Sequence, residues 1–248
     1  MSKYAYYAPQ FLKLNFDFGN LNCDIKKAGS AGEVYNFTSN LSGDLRGIAD
    51  DYLFDANDNS SFYRRIENGV QVPLTISSGL ASVACSATED FVIAVCVKLE
   101  KTNNDIQILE ISNPICILTF NSSTNRFEFS SRGDIVTTSS PISNLNFHTI
   151  IFGRDVTNNK IFIYVNDDVN NLQSNISTPS SNFQSLTFSS DFFIGKGSNL
   201  QPFYLGMLQY WKDTGLVDAS DANNLTMSDV SQSNFTAEIY AQHFDRWM

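Results

Sequence analysis

Residues 146–166 read NFHTIIFGRDVTNNKIFIYVN, and this stretch decides the fold of the chain. Two runs rich in Ile, Phe, Tyr and Val flank a polar segment from Asp155 to Asn159. β-branched and aromatic side chains fit a pleated, packed surface, and Asn tolerates the left-handed backbone of a tight turn. The stretch therefore predicts a β-hairpin, although it reveals no reaction.

Alternation within the second run predicts which side chains share a face, because successive side chains of a strand point to opposite sides. One face carries the branched residues Ile161, Ile163 and Val165, and the other carries Lys160, Phe162, Tyr164 and Asn166. Residues 91–99, FVIAVCVKL, are apolar on both faces, which predicts a central strand covered on both sides.

Strand-like runs continue along most of the chain. Those before the central strand cover residues 9–18, 34–38, 61–66 and 70–76, and those after it cover 106–111, 115–120, 126–130, 135–137, 183–188, 192–194 and 202–211. Roughly a dozen strands with almost no helical periodicity predict a two-sheet antiparallel β-sandwich. Only residues 234–244 have the pattern of a short helix.

Four local predictions can be checked directly against a structure. Leu12, Leu14, Phe16 and Phe18 are expected on the buried face of the first strand, and Phe203, Leu205, Met207, Gln209 and Trp211 on one side of the last. The Asn68–Gly69 pair predicts a hairpin turn joining residues 61–66 to 70–76. The polar residues 167–182 are expected to form a long loop.

Length and charge limit the possible functions. The chain has 248 residues, enough for one large β domain, and we expect a single sandwich over residues 1–248 with N-terminal strands from 9–76 completing the sheets. Charged residues make up only 17% and the formal net charge is −10. No run of Lys and Arg is longer than two, so we expect no nucleic-acid binding.

The cysteines and the N-terminus indicate where the protein is made. Cys23, Cys85, Cys96 and Cys116 contain no Cys-x-x-Cys pair, which argues against a zinc site, and Cys96 and Cys116 lie inside apolar strand patterns. The low count fits a reducing cytoplasm, although disulfides stay open. No stretch resembles a signal peptide or a membrane span, so we expect no membrane insertion.

The order of several motifs resembles laminin-G-like, concanavalin-A-like jelly-roll domains. The segments that carry the resemblance are FVIAVCVKL (91–99), NFHTIIFGRD (146–155), KIFIYVND (160–167), FFIGKG (192–197), YLGMLQYW (204–211) and NFTAEIY (234–240). Phe147 stands where the family often has Trp, and Asp167 replaces a turn Gly. The match covers about residues 90–240, and it implies a jelly roll with a short C-terminal helix.

Function follows less directly, because this family contains lectins, adhesion modules, toxin receptors, glycan hydrolases and phage fibre domains. The resemblance and the acidic, Asn/Ser/Phe-rich composition together favour a non-enzymatic bacteriophage virion protein, a capsid decoration or tail fibre, made in the host cytoplasm. Its expected partners are other virion proteins and a host surface glycan. The alternatives are a carbohydrate-binding lectin or adhesion module and, third, a glycan hydrolase.

Candidate catalytic residues have competing structural interpretations. Glucan-cleaving relatives carry Glu-x-Asp-x-x-Glu on one strand, and the nearest approach here is Asp105 and Glu110. Their odd spacing places them on opposite faces of a regular strand, so we expect Asp105 in a turn and Glu110 in a polar pair. A triad is formally possible around His148 or His243, but His148 lies in a strand pattern and we expect a structural role.

A calcium site is the other candidate, although no cofactor is the main expectation. Asp55, Asn57 and Asn59 follow the one-three-five spacing of a calcium loop, but Ser60 and Ile66 stand where Gly and Glu belong. Asx-rich turns are common without metal. Asp167 with Asp168, and the loop of Asp218, Asp221, Asn223 and Asn224, present the same alternatives.

Both ends of the chain are rich in aromatic residues. Tyr4–Tyr7 and Phe244–Trp247 lie at the two extremities, and burying one such ring contributes roughly 1.5–3 kcal/mol. These residues can dock on their own domain, hold subunits together or bind sugar. We expect docking between subunits of a homo-oligomer, and a trimer in particular; a monomer with folded-back tails is the alternative.

Overall fold

The structure is a computed structural model. It describes residues 10–17, 24–25, 33–35, 42–45, 52–54, 62–66, 74–76, 84–111, 116–142, 145–166, 172–186, 192–196, 201–221, 224–227 and 234–247. The strands of the first third are β1 Leu12–Asp17, β2 Asp24–Ile25, β3 Glu33–Tyr35, β4 Ser42–Leu45, β5 Tyr52–Phe54, β6 Phe62–Ile66 and β7 Leu74–Ile76.

The rest of the chain holds the longer strands and a helix. The strands are β8 Asp90–Leu99, β9 Ile106–Ile111, β10 Cys116–Asn121, β11 Arg126–Ser131, β12 Asp134–Thr137, β13 Phe147–Asp155, β14 Lys160–Asn166, β15 Leu172–Ser177, β16 Phe192–Lys196, β17 Phe203–Asp213, β18 Val217–Asp221 and β19 Asn224–Met227. The helix α1 spans Phe235–Trp247, so the predicted C-terminal helix is confirmed.

Two large antiparallel sheets form the sandwich. The first has eight strands in the order β15-β14-β13-β8-β17-β6-β5, with β1 also paired to β17. The second has five strands in the order β12-β11-β10-β9-β16. A four-stranded sheet, β2-β3-β4-β7, and a two-stranded ribbon of β18 and β19 complete the described strands. The predicted all-β sandwich is therefore correct.

The predicted hairpin of residues 146–166 is β13 and β14, which pair from Thr149 with Asn166 to Asp155 with Lys160. Asn159 takes the left-handed conformation in the turn, with φ of 51°. The central strand is β8, which pairs with β13 on one side and β17 on the other. Gly153 allows this close packing, because a Cβ there would collide with the backbone carbonyl of Phe91.

The main hydrophobic core lies between the two large sheets. The eight-stranded sheet contributes Val95, Ile150, Phe152 and Ile163, among others, and the five-stranded sheet contributes Ile106, Leu118, Phe120, Phe127 and Phe129. Fully burying each such side chain stabilises the fold by roughly 1.5–3 kcal/mol. Cys85, Cys96 and Cys116 are buried free thiols, as expected for Cys96 and Cys116.

A second core covers the outer face of the eight-stranded sheet. Sheet residues such as Ile151, Phe162, Tyr164 and Trp211 pack against Leu216, Val217, Ala219, Leu225, Met227, Phe235 and Ile239 of the ribbon and helix. Trp211 and Phe235 meet edge to face with ring centroids 5.0 Å apart. The ribbon and helix therefore cover this part of the outer face, while Cys96, Phe147 and Met207 form a separate small cluster. Among the described residues, no helix is long and apolar enough to cross a membrane.

Bulges overturn two of the predicted strand faces. In β17 the register with β8 shifts between Leu205 and Met207, so Phe203 and Leu205 enter the main core while Trp211 faces the ribbon and helix. In β1 a register shift separates Leu12 from Leu14. An extra residue in a strand reverses the faces beyond it, and this explains both errors.

The Asn68–Gly69 hairpin prediction was also wrong. β6 pairs with β5 and β17, whereas β7 pairs with β4 in a different sheet. Partner strands distant in sequence decide this pairing, and a turn signal cannot encode them.

Three further segments differ from the predicted strands and loops. Residues 167–182 are not all loop, because β15 pairs along β14 at the edge of the sheet. Residues 183–188 were expected as a strand, but there Leu186 makes an isolated bridge to Cys85. The expected loop of residues 218–224 includes parts of β18 and β19, which pair as a ribbon. Edge strands are held by backbone hydrogen bonds, so their side chains need no apolar pattern.

Candidate functional site

Several residues singled out in the sequence lie outside the described part of the chain. These are the calcium candidates Asp55, Asn57 and Asn59, together with Cys23, Asp167, Asp168, Asn223 and the aromatic residues Tyr4–Tyr7. His243, Phe244 and Trp247 lie in α1. The predictions made for these residues stay predictions.

Asp105 and Glu110, the candidate catalytic pair, form hydrogen bonds with different partners. Asp105 precedes β9, and its Oδ1 accepts hydrogen bonds from the backbone N–H and the hydroxyl of Ser122, both at 2.8 Å. Glu110 accepts a hydrogen bond from the Gln107 amide. The expected polar pairing of Glu110 is confirmed, and Asp105 lies outside the strand, immediately before β9.

His148 is fully buried and has the structural surroundings that were expected for it. Its ring packs against Phe127 with the centroids 5.7 Å apart, which places the imidazole inside the main core. Among the described residues, no group of three or more His, Cys, Asp or Glu side chains is arranged to hold a metal ion.

Arg154, at the end of β13, is buried at the end of the sandwich. Its Nε donates to the Glu89 carbonyl at 3.0 Å, one guanidinium nitrogen donates to the Gln184 carbonyl at 2.6 Å, and the other donates to the Ser86 carbonyl and to Cys85 Sγ. These bonds fasten to the sheet the two segments that meet at the isolated bridge between Cys85 and Leu186. Burial raises the pKa of the Cys85 thiol even though Arg154 opposes the shift.

Aromatic rings complete the surroundings of Arg154. Its guanidinium carbon lies 5.3 Å from the ring centroids of both Phe91 and Phe183. Cation–π contact suits a desolvated guanidinium whose donors meet neutral carbonyl oxygens. The cluster therefore fastens the fold at this end of the sandwich.

The buried carboxylate of Asp90 links β8 to the ribbon. Asp90 Oδ1 accepts the N–H of Val156 at 2.7 Å, and Oδ2 accepts the N–H of Val217 in β18 at 3.2 Å. Burial raises the pKa of Asp90 above its ordinary value, although these two backbone hydrogen bonds lower it. Asp90 thus connects the hairpin turn to the ribbon.

Asp155 makes a parallel connection from the end of β13. Its Oδ1 accepts the N–H of Asn158 at 2.9 Å, and its Oδ2 accepts the N–H of Ala219 in β18 at 2.9 Å. Asp218, one of the calcium candidates, accepts a hydrogen bond from Asn158 Nδ2 at 3.1 Å. The hydroxyl of Tyr164 donates to the Asp221 carbonyl at 3.0 Å. These groups hold the ribbon on the sheet.

The outer face of the five-stranded sheet has a different character, and we call it the polar face. It consists of the outward side chains of β9–β12: Gln107, Glu110, Ile117, Thr119, Asn121, Arg126, Glu128, Ser130, Ile135 and Thr137. Most of these side chains are partly exposed, and Ile135 is 55% exposed. Their neighbours Leu118, Phe120, Phe127 and Phe129 point into the main core.

Strand register arranges the polar face in rows. Thr119 lies opposite Glu128 on one side and Gln107 on the other, and Glu128 lies opposite Thr137. A second row runs from Ile135 through Ser130 and Ile117 to Glu110. Neighbouring strands are about 4.8 Å apart and side chains on one face of a strand repeat about every 6.8 Å, so the rows of β10, β11 and β12 form a regular grid. In β9 a register shift between Gln107 and Leu109 interrupts the alternation.

Glu128 is held in place by the turn between β10 and β11. Asn121 Oδ1 accepts hydrogen bonds from the Ser123 N–H at 3.0 Å and hydroxyl at 2.7 Å, and from the Thr124 N–H at 3.3 Å. Asn121 Nδ2 donates to Glu128 Oε1 at 2.9 Å. The second carboxylate oxygen, Oε2, accepts no hydrogen bond from any residue that the structure describes.

Four other side chains of the polar face have no hydrogen-bond partner among the described residues. Within the described chain, the side chains of Thr119, Arg126, Ser130 and Thr137 form no hydrogen bond or ion pair. Two hydroxyl donors therefore flank the open Glu128 oxygen, in the row of Thr137, Glu128 and Thr119. Sequence reasoning predicted the strands but did not single out these residues; the alternation of polar and aromatic residues over 126–130 is the signal that could have found them.

Comparison with solved structures supports the fold described above. No protein-family model matches this sequence, and no curated protein matches it. A sialidase of Trypanosoma rangeli superposes with a TM-score of 0.51 at 9% identity, covering 82% of this chain and 30% of the sialidase. The binding domain of botulinum neurotoxin DC, solved with rat synaptotagmin II, superposes with a TM-score of 0.52 at 11% identity, covering 82% of this chain and 48% of that one.

A third structure, of botulinum neurotoxin type C, has a TM-score of 0.50 at 13% identity and covers 82% of this chain and 48% of that chain. Its description attributes cell entry of the toxin to interaction with two ganglioside molecules. The chain thus spans a third to a half of the length of these proteins. At such identities the likeness shows the fold alone, a two-sheet antiparallel β-sandwich.

Proposed function

We propose that this chain is a non-catalytic glycan-binding module with which a bacteriophage virion attaches to sugars on the host surface. The polar face is the observation that carries the proposal. It presents carboxylate, amide, hydroxyl and guanidinium groups beside the partly exposed Ile117 and Ile135. The ribbon and α1 cover the part of the outer face of the other sheet that includes Ile151, Phe162, Tyr164 and Trp211.

The chemistry of the polar face matches what a sugar requires. A pyranose ring offers hydroxyl groups around its edge and C–H groups on its faces, so its binding sites combine polar partners with apolar contact. Rigid strands hold these side chains on a grid, which limits the entropy lost on binding. Neurotoxin type C, whose cell entry depends on interaction with ganglioside molecules, contains a part with this fold, and this likeness supports the proposal.

The virion role rests on the family resemblance and on the acidic, Asn/Ser/Phe-rich composition of the chain. We propose that several copies, three in particular, assemble on a capsid or tail fibre with other virion proteins. Assembly would convert weak sites into strong attachment, because sites on one body bind with a high effective concentration. Immunogold electron microscopy of particles from cells carrying the gene tests the location, and labelling only off the particles would refute it.

A glycan array probed with the whole chain tests the module. We expect binding to a subset of glycans, with no release of reducing sugar from them on prolonged incubation. Absence of binding to every glycan at micromolar protein would contradict the proposal. Release of reducing sugar that Glu110→Gln abolishes would instead support a glycan hydrolase.

Light scattering tests the oligomer. We expect a trimeric mass for the full chain and a smaller mass for a version lacking residues 1–8 and 242–248. A monomeric mass for the full chain at micromolar concentration would contradict self-assembly.

A further inference from the structure

We infer that the polar face recognises uncharged hexose chains through their hydroxyl groups, and that Glu128 is the acceptor that sets this specificity. The inference rests on the proposed glycan-binding function and deepens it by naming the class of sugar. It follows from three features of the face: a carboxylate held in position, hydroxyl groups arranged on both sides of it, and the negative charge of that carboxylate.

The held carboxylate is the first feature. Asn121 fixes Glu128 Oε1 with a hydrogen bond of 2.9 Å, and Asn121 is itself fixed by Ser123 and Thr124 in the turn. The open Oε2 accepts hydrogen bonds and cannot donate any when the group is ionised. Its natural partner is a sugar hydroxyl, and a charge-assisted hydrogen bond of this kind is about twice as strong as a neutral one.

The second feature is the row in which Glu128 lies. Thr119 and Thr137 flank Glu128 on the neighbouring strands, about 4.8 Å away on either side. Their hydroxyls both donate and accept, and they have no side-chain hydrogen-bond partner among the described residues. Three hydroxyl-binding groups in one line suit an extended sugar chain that lies across the strands. Ile117, in the neighbouring row, offers apolar contact to the C–H face of a ring.

Charge is the third feature. The carboxylates Glu110 and Glu128 share this sheet with Arg126 and with Lys196, which lies opposite Gln107 in β16. Between Thr119 and Thr137, however, the charged group of the row is Glu128 alone. A sugar carboxylate or sulfate placed against Glu128 would bring like charges together and could not donate to the open oxygen, whereas a sugar hydroxyl there can. The face therefore discriminates against sialylated and sulfated glycans.

One experiment tests the inference with the full-length chain. An array carries neutral gluco-, galacto- and manno-oligosaccharides next to their sialylated and sulfated counterparts. We expect binding on the neutral arm, and a signal at least about tenfold weaker on the anionic arm. Glu128→Gln keeps the shape of the side chain but loses its charge, so we expect the apparent affinity for the neutral glycans to fall by about tenfold.

Two further variants keep the test sharp. Thr119→Val is nearly isosteric and retains β-branching, so it removes a hydroxyl from the row without disturbing the strand, and we expect weaker binding with an unchanged thermal midpoint. Glu238→Gln makes the same chemical change as Glu128→Gln on an exposed residue of α1, on the opposite side of the molecule. We expect this control to bind like the unaltered chain.

The outcomes separate the inference from the function on which it rests. Binding confined to the anionic arm would overturn the inference while the glycan-binding function stands. Binding to neutral glycans that Glu128→Gln and Thr119→Val leave unchanged would also overturn it, because the site would then lie elsewhere. Binding on neither arm would overturn the proposed function, and the inference with it.

Discussion

Asn121 and Glu128 are diagonal neighbours across the hairpin of β10 and β11, and the Asn121 amide donates a hydrogen bond of 2.9 Å to the carboxylate of Glu128. The other side of the same amide, Oδ1, receives hydrogen bonds from Ser123 and Thr124 in the turn. One side chain therefore links the local geometry of a turn to the position of a surface carboxylate.

The two roles of Asn121 can be separated by substitution. Asn121→Asp keeps the oxygen that accepts the turn hydrogen bonds but replaces the donor to Glu128 with a second negative oxygen. We expect little change in thermal stability and a clear loss of neutral-glycan binding, because like charges drive Glu128 from its position. Asn121→Ala loses both roles and should also lower the free energy of unfolding by about 1 kcal/mol. Equal binding by Asn121→Asp and the unaltered chain would contradict this account.

Asp155 is predicted to control the attachment of the ribbon. Asp155→Asn puts an N–H₂ group where one of two buried backbone donors, the Asn158 or the Ala219 N–H, needs an acceptor. Leaving a buried donor unsatisfied costs about 1–3 kcal/mol, so we expect the midpoint of urea unfolding to fall. Hydrogen exchange should accelerate in β18 and β19 before it does in β9–β12.

The matched control for Asp155→Asn is Asp213→Asn, at an exposed residue at the end of β17. Among the described residues, its carboxylate accepts a hydrogen bond only from the N–H of its neighbour Thr214. This variant should leave both measurements nearly unchanged. Uniform acceleration of exchange throughout the protein in Asp155→Asn would refute a local role in holding the ribbon.

The buried carboxyl of Asp90 predicts a pH dependence of stability. Burial raises the pKa of Asp90 in the folded protein above the ordinary value of 3.8, so the folded chain holds this proton more tightly than the unfolded chain does. The contribution of Asp90 to the free energy of unfolding is therefore largest below that value and falls as the pH rises through the folded pKa.

Comparing the unaltered chain with Asp90→Asn isolates this dependence from that of other groups. We expect the stability difference between the two to shift against the unaltered chain as the pH rises from about 4, the pKa of an unfolded Asp, through the folded pKa. Carbon-13 NMR of the Asp90 carboxyl measures its pKa directly. A value at or below that of an unfolded Asp would show that the backbone hydrogen bonds outweigh burial.

Arg154 is predicted to be among the most sensitive positions for stability. Arg154→Met removes every hydrogen bond made by a buried guanidinium, those to the carbonyls of Glu89, Ser86 and Gln184 and to Cys85 Sγ, and we expect a loss of about 3 kcal/mol or more in urea unfolding. Arg132→Met is the control, because Arg132 is exposed and makes a single bond to a carbonyl, that of Asn182, at 3.2 Å. Equal effects of the two substitutions would contradict the assigned role of Arg154.

The sequence predicted the surroundings of some residues of the site and did not single out others. His148 and Glu110 were correctly assigned structural surroundings, because an apolar strand pattern determines which side chains are buried. Glu128 and Thr119 were not singled out, because each is an ordinary polar residue on an amphipathic strand. Their importance arises from the register that places them side by side and from the amide of Asn121.

The sequence by itself determined the class of the fold, the β13–β14 hairpin and the central position of β8. These follow from side-chain alternation and from apolar residues on both faces, which are local properties of the chain. Only the tertiary structure decided that β6 and β7 join different sheets, that β15 forms an edge, and that bulges in β1 and β17 turn Leu12 and Trp211 toward the ribbon and helix. The physical reason is that pairing and register are set by partner strands distant in sequence, whose backbone hydrogen bonds are indifferent to the side chains they carry.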